Sequence, residues 1–199
     1  MQTTHIMQGL DLSWTSADGK FVFLDTLSTE NSSKTGDVLR DVERRIVESI
    51  KRLEQDHKRK ALLILDNPDL MLATATAIAQ QLNHLVLKLR SVVHSVIITC
   101  SADLPLLSAV EPDNTTTELE NATASFITQQ AHAARFVMSL RELGTGSAKD
   151  VSGVLRITRG ESALELAGDE DNDLREMEAL YLVQRDGNVK VFERGARSN

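Results

Sequence analysis

Two hydrophobic patterns alternate along the first half of the chain. The short runs "KFVFLD" (20–25), "ALLILD" (61–66) and "HSVIITCS" (94–101) are rich in β-branched and aliphatic residues, which predicts buried strands. After the first run, Val38, Val42, Ile46, Ile50 and Leu53 recur at spacings of four and three, so an amphipathic helix with one apolar stripe is expected from Asp37. Asp37 is placed to cap its start, while Lys51, Arg52 and Lys58 crowd its end, as the helix dipole favours. Pro68 and Asp69 open a second helix that reaches about Arg90, apolar nearly all round and therefore mostly buried, with Asp69 as its cap. "ALLILD" is uniformly apolar rather than alternating, the pattern of a strand covered on both faces of a parallel sheet. Strand, helix, strand, helix, strand at this spacing means an α/β fold with right-handed crossovers, a doubly wound sheet with a parallel core.

Beyond Asp103 the pattern changes. A loop of Pro, Asp, Asn and Thr leads to a helix from about Glu118 to Ala133, followed by four strand-like runs, "RFVMSLREL", "GVLRITRG", "EALYLVQR" and "NVKVFER". Asp186-Gly187 between the last two is a hairpin turn signal, so the sheet is expected to finish with an antiparallel C-terminal edge. Residues 1–19 read as a flexible lead-in, and the acid-rich 166–178 as a solvated loop. One domain of 199 residues accommodates all of this.

Composition narrows the function classes. The charge of −7 argues against a surface that is an electrostatic trap for nucleic acid, leaving room only for a local basic patch. The chain has one Trp, one Tyr and five Phe, so its core is aliphatic and it offers few rings for stacking bases. The first basic residue is Lys20 and no apolar segment follows a basic start, so neither secretion nor import is indicated. Leu70 to Leu89 is interrupted by Gln80, Gln81, Asn83, His84 and Lys88 and falls short of a membrane span. Cys100 is the one cysteine; it sits in an apolar run and reads as a packing residue in a reduced compartment.

In an open α/β sheet ligands gather at the carboxyl ends of the strands, where this sequence places Asp25, Asp66, Thr99, Ser101 and Asp103. An acid closing an apolar strand is what a nucleotide hydrolase uses to hold magnesium. Such an enzyme also needs the G-x-x-x-x-G-K-[ST] loop (Walker A) whose backbone N–H groups and lysine cradle the phosphates. That loop is missing: "GTGSAK" (144–149) has the wrong spacing and follows a late strand, and "DGK" (18–20) precedes no helix. No pair among His5, His57, His84, His94 and His132 has metal-ligand spacing, and there is no G-x-S-x-G elbow. Catalytic, cofactor and metal sites are therefore all expected to be absent. The remaining signal is 140–161, where Gly144, Gly146 and Gly153 punctuate a hairpin flanked by Arg141, Lys149, Arg156 and Arg159. It reads either as a plain hairpin or as a basic loop touching phosphate or a neighbouring subunit.

The blocks "LLILDNPDLMLA", "VHSVIITCSAD", "TGSAKDVSGVLRITRG" and "LYLVQRDGNVKVFERG", in that order, closely resemble the family of sixth subunits of the Elongator complex, over about residues 21–194. The pattern TG-x-AKDV[ST]G-x-L followed by RG is the most specific part. The resemblance implies a RecA-like domain lacking a working Walker A loop, joined with two related subunits in a heterohexameric ring. That ring docks on the catalytic part of Elongator, binds tRNA and supports carboxymethyl-type modification of wobble uridine, the chemistry being another subunit's. On this view the chain is not an enzyme, needs no cofactor, meets no membrane, and works in the cytoplasm and nucleus. Asp66 becomes a Walker B relic, a buried acid accepting backbone hydrogen bonds, and Lys149, Arg156 and Arg159 are the candidate tRNA or ring contacts. A RecA-like fold normally places a strand, the phosphate loop and a helix ahead of "KFVFLD", where about twenty residues stand; either the sequence lacks its beginning or those elements are absent. An autonomous ATPase and a free-standing RNA-binding protein are the rival readings.

Overall fold

The computed structural model describes residues 6–7, 10–26, 35–57, 60–102, 116–143, 150–161 and 176–193. It is α/β, and its contacts divide it into two compact units, 1–128 and 129–199. The first contains β1 (Ile6–Met7), β2 (Leu10–Asp11), α1 (Leu12–Ala17), α2 (Thr35–His57), β3 (Leu62–Asp66), α3 (Leu70–Ala73), α4 (Ala79–Val92) and β4 (Ser95–Thr99). Helix α5 (Glu118–Ala133) carries the chain into the second unit, which contains β5 (Phe136–Arg141), β6 (Gly153–Arg159), β7 (Met177–Val183) and β8 (Val189–Glu193). Among the described residues no helix is long and apolar enough to cross a membrane.

The stripe on α2 behaves as its spacing predicts. Val42, Ile46 and Ile50 are buried at 5% exposure or less, and Val38 packs beside them. They meet Leu82, Leu85, Val86 and Leu89 of α4 and Phe126 of α5 in one aliphatic core. The helix begins at Thr35, so Asp37 lies within its first turn instead of capping it. On its outer surface Arg44 bridges to Glu48 at 3.1 Å and to Asp41. Such exposed pairs add only tenths of a kcal/mol each. The Glu54 carboxylate does more, because it accepts the N–H of Ala61 at 3.2 Å and so ties the end of the helix to the start of β3.

Strands β3 and β4 pair in parallel, Leu62 opposite Ser95 through Asp66 opposite Thr99. Their burial alternates, contrary to the expectation of a strand covered on both faces. Leu63, Leu65, Val96 and Ile98 pack on the helical core, whereas Leu62 and Ile64 are each 55% exposed and Ile97 is 47% exposed. The reason is that the core helices lie against one face of the pair, and no described element of the first unit covers the other.

Three further expectations are corrected. The run 20–25 is not a strand: no described strand pairs with it, Leu24 alone packs on the core, Phe23 is 75% exposed, and the Asp25 carbonyl accepts the Arg45 guanidinium at 3.2 Å. The single helix expected from Pro68 to Arg90 is two. Thr74 donates its hydroxyl back to the Leu70 carbonyl at 3.0 Å, Ala75 turns left-handed with φ 54°, and α4 restarts at Ala79 with the Gln81 side chain accepting the Ile78 N–H at 3.2 Å. Threonine hydroxyls that bond the backbone in this way compete with the helix ladder, which is why a segment without Gly or Pro still breaks. Finally, the antiparallel strands do not extend the parallel pair; they form a separate four-stranded sheet in the order β5-β6-β7-β8. In the stretch read as a flexible lead-in, the structure has the short β1–β2 pair and α1, with Lys20 lying 5.7 Å over the Trp14 ring.

The turn at Asp186-Gly187 closes β7 and β8 as expected. Gly187 has φ 83°, which an L side chain rarely adopts, and the Gln184 N–H donates to the Asn188 carbonyl at 2.8 Å. The backbone N–H of Asn188, donated to the Asp186 carboxylate at 3.0 Å, is the main cause that holds that carboxyl below the usual range. The acid-rich 166–178 lies mostly outside the described residues; its last two positions already belong to β7.

Candidate functional site

The carboxyl ends of β3 and β4 bring together Asp66, Asn67, Asp69, Thr99 and Cys100. Asp66 ends β3 with its side chain exposed, and accepts the Thr99 hydroxyl at 2.5 Å. It is thus exposed, not buried as the relic reading expected, and among the described residues its hydrogen bond is to Thr99; the parallel register sets it directly opposite Thr99 on the outward face. Asn67 follows with φ 48° and donates its N–H to the Thr99 carbonyl and hydroxyl, both at 3.1 Å. That left-handed residue turns the chain away from the sheet toward Pro68.

Asp69, expected to cap the second helix, does not. It stands at the N-cap position of α3 but has helical angles and makes no side-chain cap hydrogen bond, and its Oδ1 is buried with no partner among the described residues. A buried carboxylate oxygen without a donor costs stability, so its presence at the strand ends stands out. Asp69 also bears on Cys100: burial first, and the Asp69 charge second, push the Cys100 thiol up to about 12. This is the environment of an inert, packed cysteine and not of a nucleophile. Ser101 is exposed just beyond, while Asp103 lies outside the described residues and Asp25 lies ahead of α2 in no described strand or helix. Among the described residues no group of three His, Cys, Asp or Glu could hold a metal ion.

A direct consequence is that the native Cys100 should react with an aromatic disulfide at pH 8 roughly a hundredfold more slowly than in the urea-unfolded chain. Equal rates in the two states would remove the thiol from the packed environment described. The linkage has a definite sign, because a thiol whose pKa rises on folding favours the native state below its ordinary value of 9.0 and loses that contribution as the pH climbs from there toward about 12.

Arg156 and Arg159, the two basic candidates among the described residues, do not share a face. Arg156 is exposed on β6, opposite Ser139 on one side and Glu178 on the other. Arg141 shares that face and reaches Glu178 at 3.3 Å. Arg159 is three residues on and so on the opposite face, across from Phe136, its backbone N–H donated to Glu176 at 3.0 Å. Lys149, with Gly144 and Gly146, lies outside the described residues, although β5 and β6 do form the expected hairpin arms.

The feature that single-residue reading missed is the other face of this sheet. Alternate positions of all four strands put Met138, Leu140, Met177, Val183, Val189 and Val191 on the same side as Arg159, and Leu140 is 69% and Met138 64% exposed. The signal was present in the sequence as period-two apolar positions, but which face is left uncovered depends on packing. Several large apolar side chains exposed on one face of a sheet make that face a candidate interaction surface.

Comparison with known proteins finds no family model that matches this chain. No curated protein matches it either. The site is therefore defined by its own geometry: one partly satisfied acid pair at the strand ends, divided basic residues, and two sheet faces that present aliphatic side chains to solvent.

Proposed function

We propose that the chain is a non-catalytic structural subunit of a protein assembly, a RecA-like partner in an Elongator-type heterohexameric ring that binds tRNA and supports wobble-uridine modification. The observation that carries this reading is the outward aliphatic surface, the six side chains on the antiparallel sheet together with Leu62, Ile64 and Ile97 on the parallel pair. Interface centres are rich in apolar side chains, and these nine supply them, with Arg159 on the one face and Asp66 on the other as charged neighbours. In the ring, two related RecA-like subunits cover them, and the assembly docks on the catalytic Elongator subunits in the cytoplasm and nucleus. Arg156 and Arg159 then act as separate contacts, to tRNA phosphate or to a neighbour, on opposite faces of the sheet, and Lys149 is a third candidate contact. Asp66 keeps its strand-end position and serves the Thr99 contact.

The test is coexpression with the two related ring subunits, followed by sedimentation. The native chain is expected in a heterohexamer. The double variant Met138→Glu, Val191→Glu should stay folded by circular dichroism, because both side chains are already exposed, and yet drop out of the ring. A chain that remains monomeric beside its companions, or a double variant that assembles normally, overturns the reading. The enzyme rival makes the opposite forecast for the isolated chain, that magnesium-ATP binds it in a calorimetric titration; under the proposal no heat of binding is seen, since nothing like a glycine-lysine cradle adjoins Asp66 in the sequence.

A further inference from the structure

Strand β5 stands at one end of the order β5-β6-β7-β8, so it has β6 on one side and, among the described residues, no strand on the other. The Gly160 N–H donates to the Arg135 carbonyl at 3.0 Å, which makes these two a bonded pair at the head of the ladder. In an antiparallel ladder bonded and unbonded pairs alternate, so Val137, Ser139 and Arg141 bond β6 through their backbones, while Phe136, Met138 and Leu140 aim their N–H and C=O groups outward. Met138, Ser139 and Leu140 are all exposed. An open row of backbone donors and acceptors is complementary to another extended strand. The opposite edge, β8, is five residues long and carries Lys190, the kind of charge that holds other strands off. Strand β5 has six residues and no charge before Arg141.

We propose that β5 pairs antiparallel with β5 of a second copy of this chain, about a twofold axis that passes through Ser139. The strand's own residues select this register. Outward backbone groups must meet outward ones if bonds are to form, which excludes laying 136–141 end to end upon itself, because Phe136 would then face the inward-bonded Arg141. Centring the pair on Met138 sets Arg135 directly opposite Arg141 of the second copy, twice over by symmetry, and like charges so placed repel. Centring it on Leu140 shortens the ladder, since Phe136 then lies opposite a position beyond the end of β5. Centring it on Ser139 pairs Met138 with Leu140 in both directions, sets Val137 against Arg141, and brings no two like charges opposite. The strand is then its own complement, as an isologous contact requires. Met138 and Leu140 of the two copies meet on one face, so the aliphatic surface of each sheet runs on into the other. This inference does not rest on the ring reading: it uses the edge of the sheet, and Ser139 lies on the face away from the six aliphatic side chains, so either can fail alone.

On the axis the two Ser139 residues form an unbonded pair with Cα atoms about 4.5 Å apart, a span that a disulfide bridges. Arg141 would lie about 14 Å from its own counterpart, four residues along the strands, and out of disulfide reach. The experiment oxidises the full chain carrying Ser139→Cys with diamide and reads the disulfide-linked dimer on a non-reducing gel, beside Arg141→Cys and the native chain, whose packed Cys100 gives the background. Ser139→Cys is expected to crosslink about tenfold faster than Arg141→Cys or more, and the native chain to sediment as a dimer at tens of micromolar. Leu140→Pro removes an outward N–H and leaves the bonds to β6 in place, so added to Ser139→Cys it should slow the crosslink about tenfold with an unchanged circular dichroism spectrum. A native chain that sediments as a monomer, equal crosslinking at positions 139 and 141, or undiminished crosslinking in the folded proline variant would each overturn the proposal. The comparison of the two cysteine positions decides even where the proline variant unfolds.

Discussion

Phe126→Ala should cost the first unit about 3–5 kcal/mol, read as a fall in the urea midpoint of its far-ultraviolet transition. Phe126 is fully buried and, with Leu82, Leu89 and Val86, is among the largest such side chains, set where α5 meets the core formed by α2 and α4. Truncating it removes the apolar surface and leaves a cavity that two rigid helices and a strand pair cannot collapse to fill. With ordinary domain stabilities of about 5–15 kcal/mol, a loss of this size leaves little in reserve. Phe126→Leu retains most of the volume and should cost about 1–2 kcal/mol. If the alanine variant melted within experimental error of the native chain, Phe126 would not be the keystone of that core.

The second large effect is expected at Gly160. A Cβ built there would lie 1.9 Å from the Ala134 carbonyl oxygen and 2.9 Å from that of Ala131, and both are backbone atoms that cannot swing aside. The Gly160 N–H also donates to the Arg135 carbonyl at 3.0 Å, so the chain leaving β6 is held against the segment entering β5. Gly160→Ala must push these segments apart, and a loss of about 3 kcal/mol is expected, at the upper end for overpacking. The measurement is hydrogen exchange of the β6 amides, which should accelerate throughout the strand. Gly187→Ala is the control: nothing lies within 4 Å of its added Cβ, so only the strain of φ 83° remains, about 1 kcal/mol. Comparable losses at the two glycines would mean that close approach at Gly160 is relieved at little cost.

Much of this architecture was legible beforehand, and the parts that were not share a cause. The α2 stripe, the four C-terminal strands and the Asp186-Gly187 turn each rest on local chemistry, helical spacing, period-two alternation or a left-handed glycine, and each is found where the pattern put it. The α3–α4 break came from threonine hydroxyls competing with the ladder, which propensity alone does not reveal. The run 20–25 has every strand feature except a neighbour to pair with, and pairing is a property of the whole fold. In the same way "ALLILD" looks two-sided because both of its faces are aliphatic, but burial is decided by what lies above and below. The strand-end cluster was found through Asp66 and Thr99. Asp69 was misassigned because the residue before a helix is a capping position only when its backbone leaves the helical region, which here it does not.

The two sheets also differ in how far apart along the chain their partners lie. Thr99 meets Asp66 across a separation of 33 residues, whereas Val183 meets Val189 across a short turn. Closing the longer loop costs more chain entropy before any contact rewards it, so the parallel pair is expected to form after the β7–β8 hairpin although it is synthesised first. During that interval its aliphatic strands wait unpaired, and the nascent protein depends on prompt capture, by its own helices or by a companion, to escape clumping.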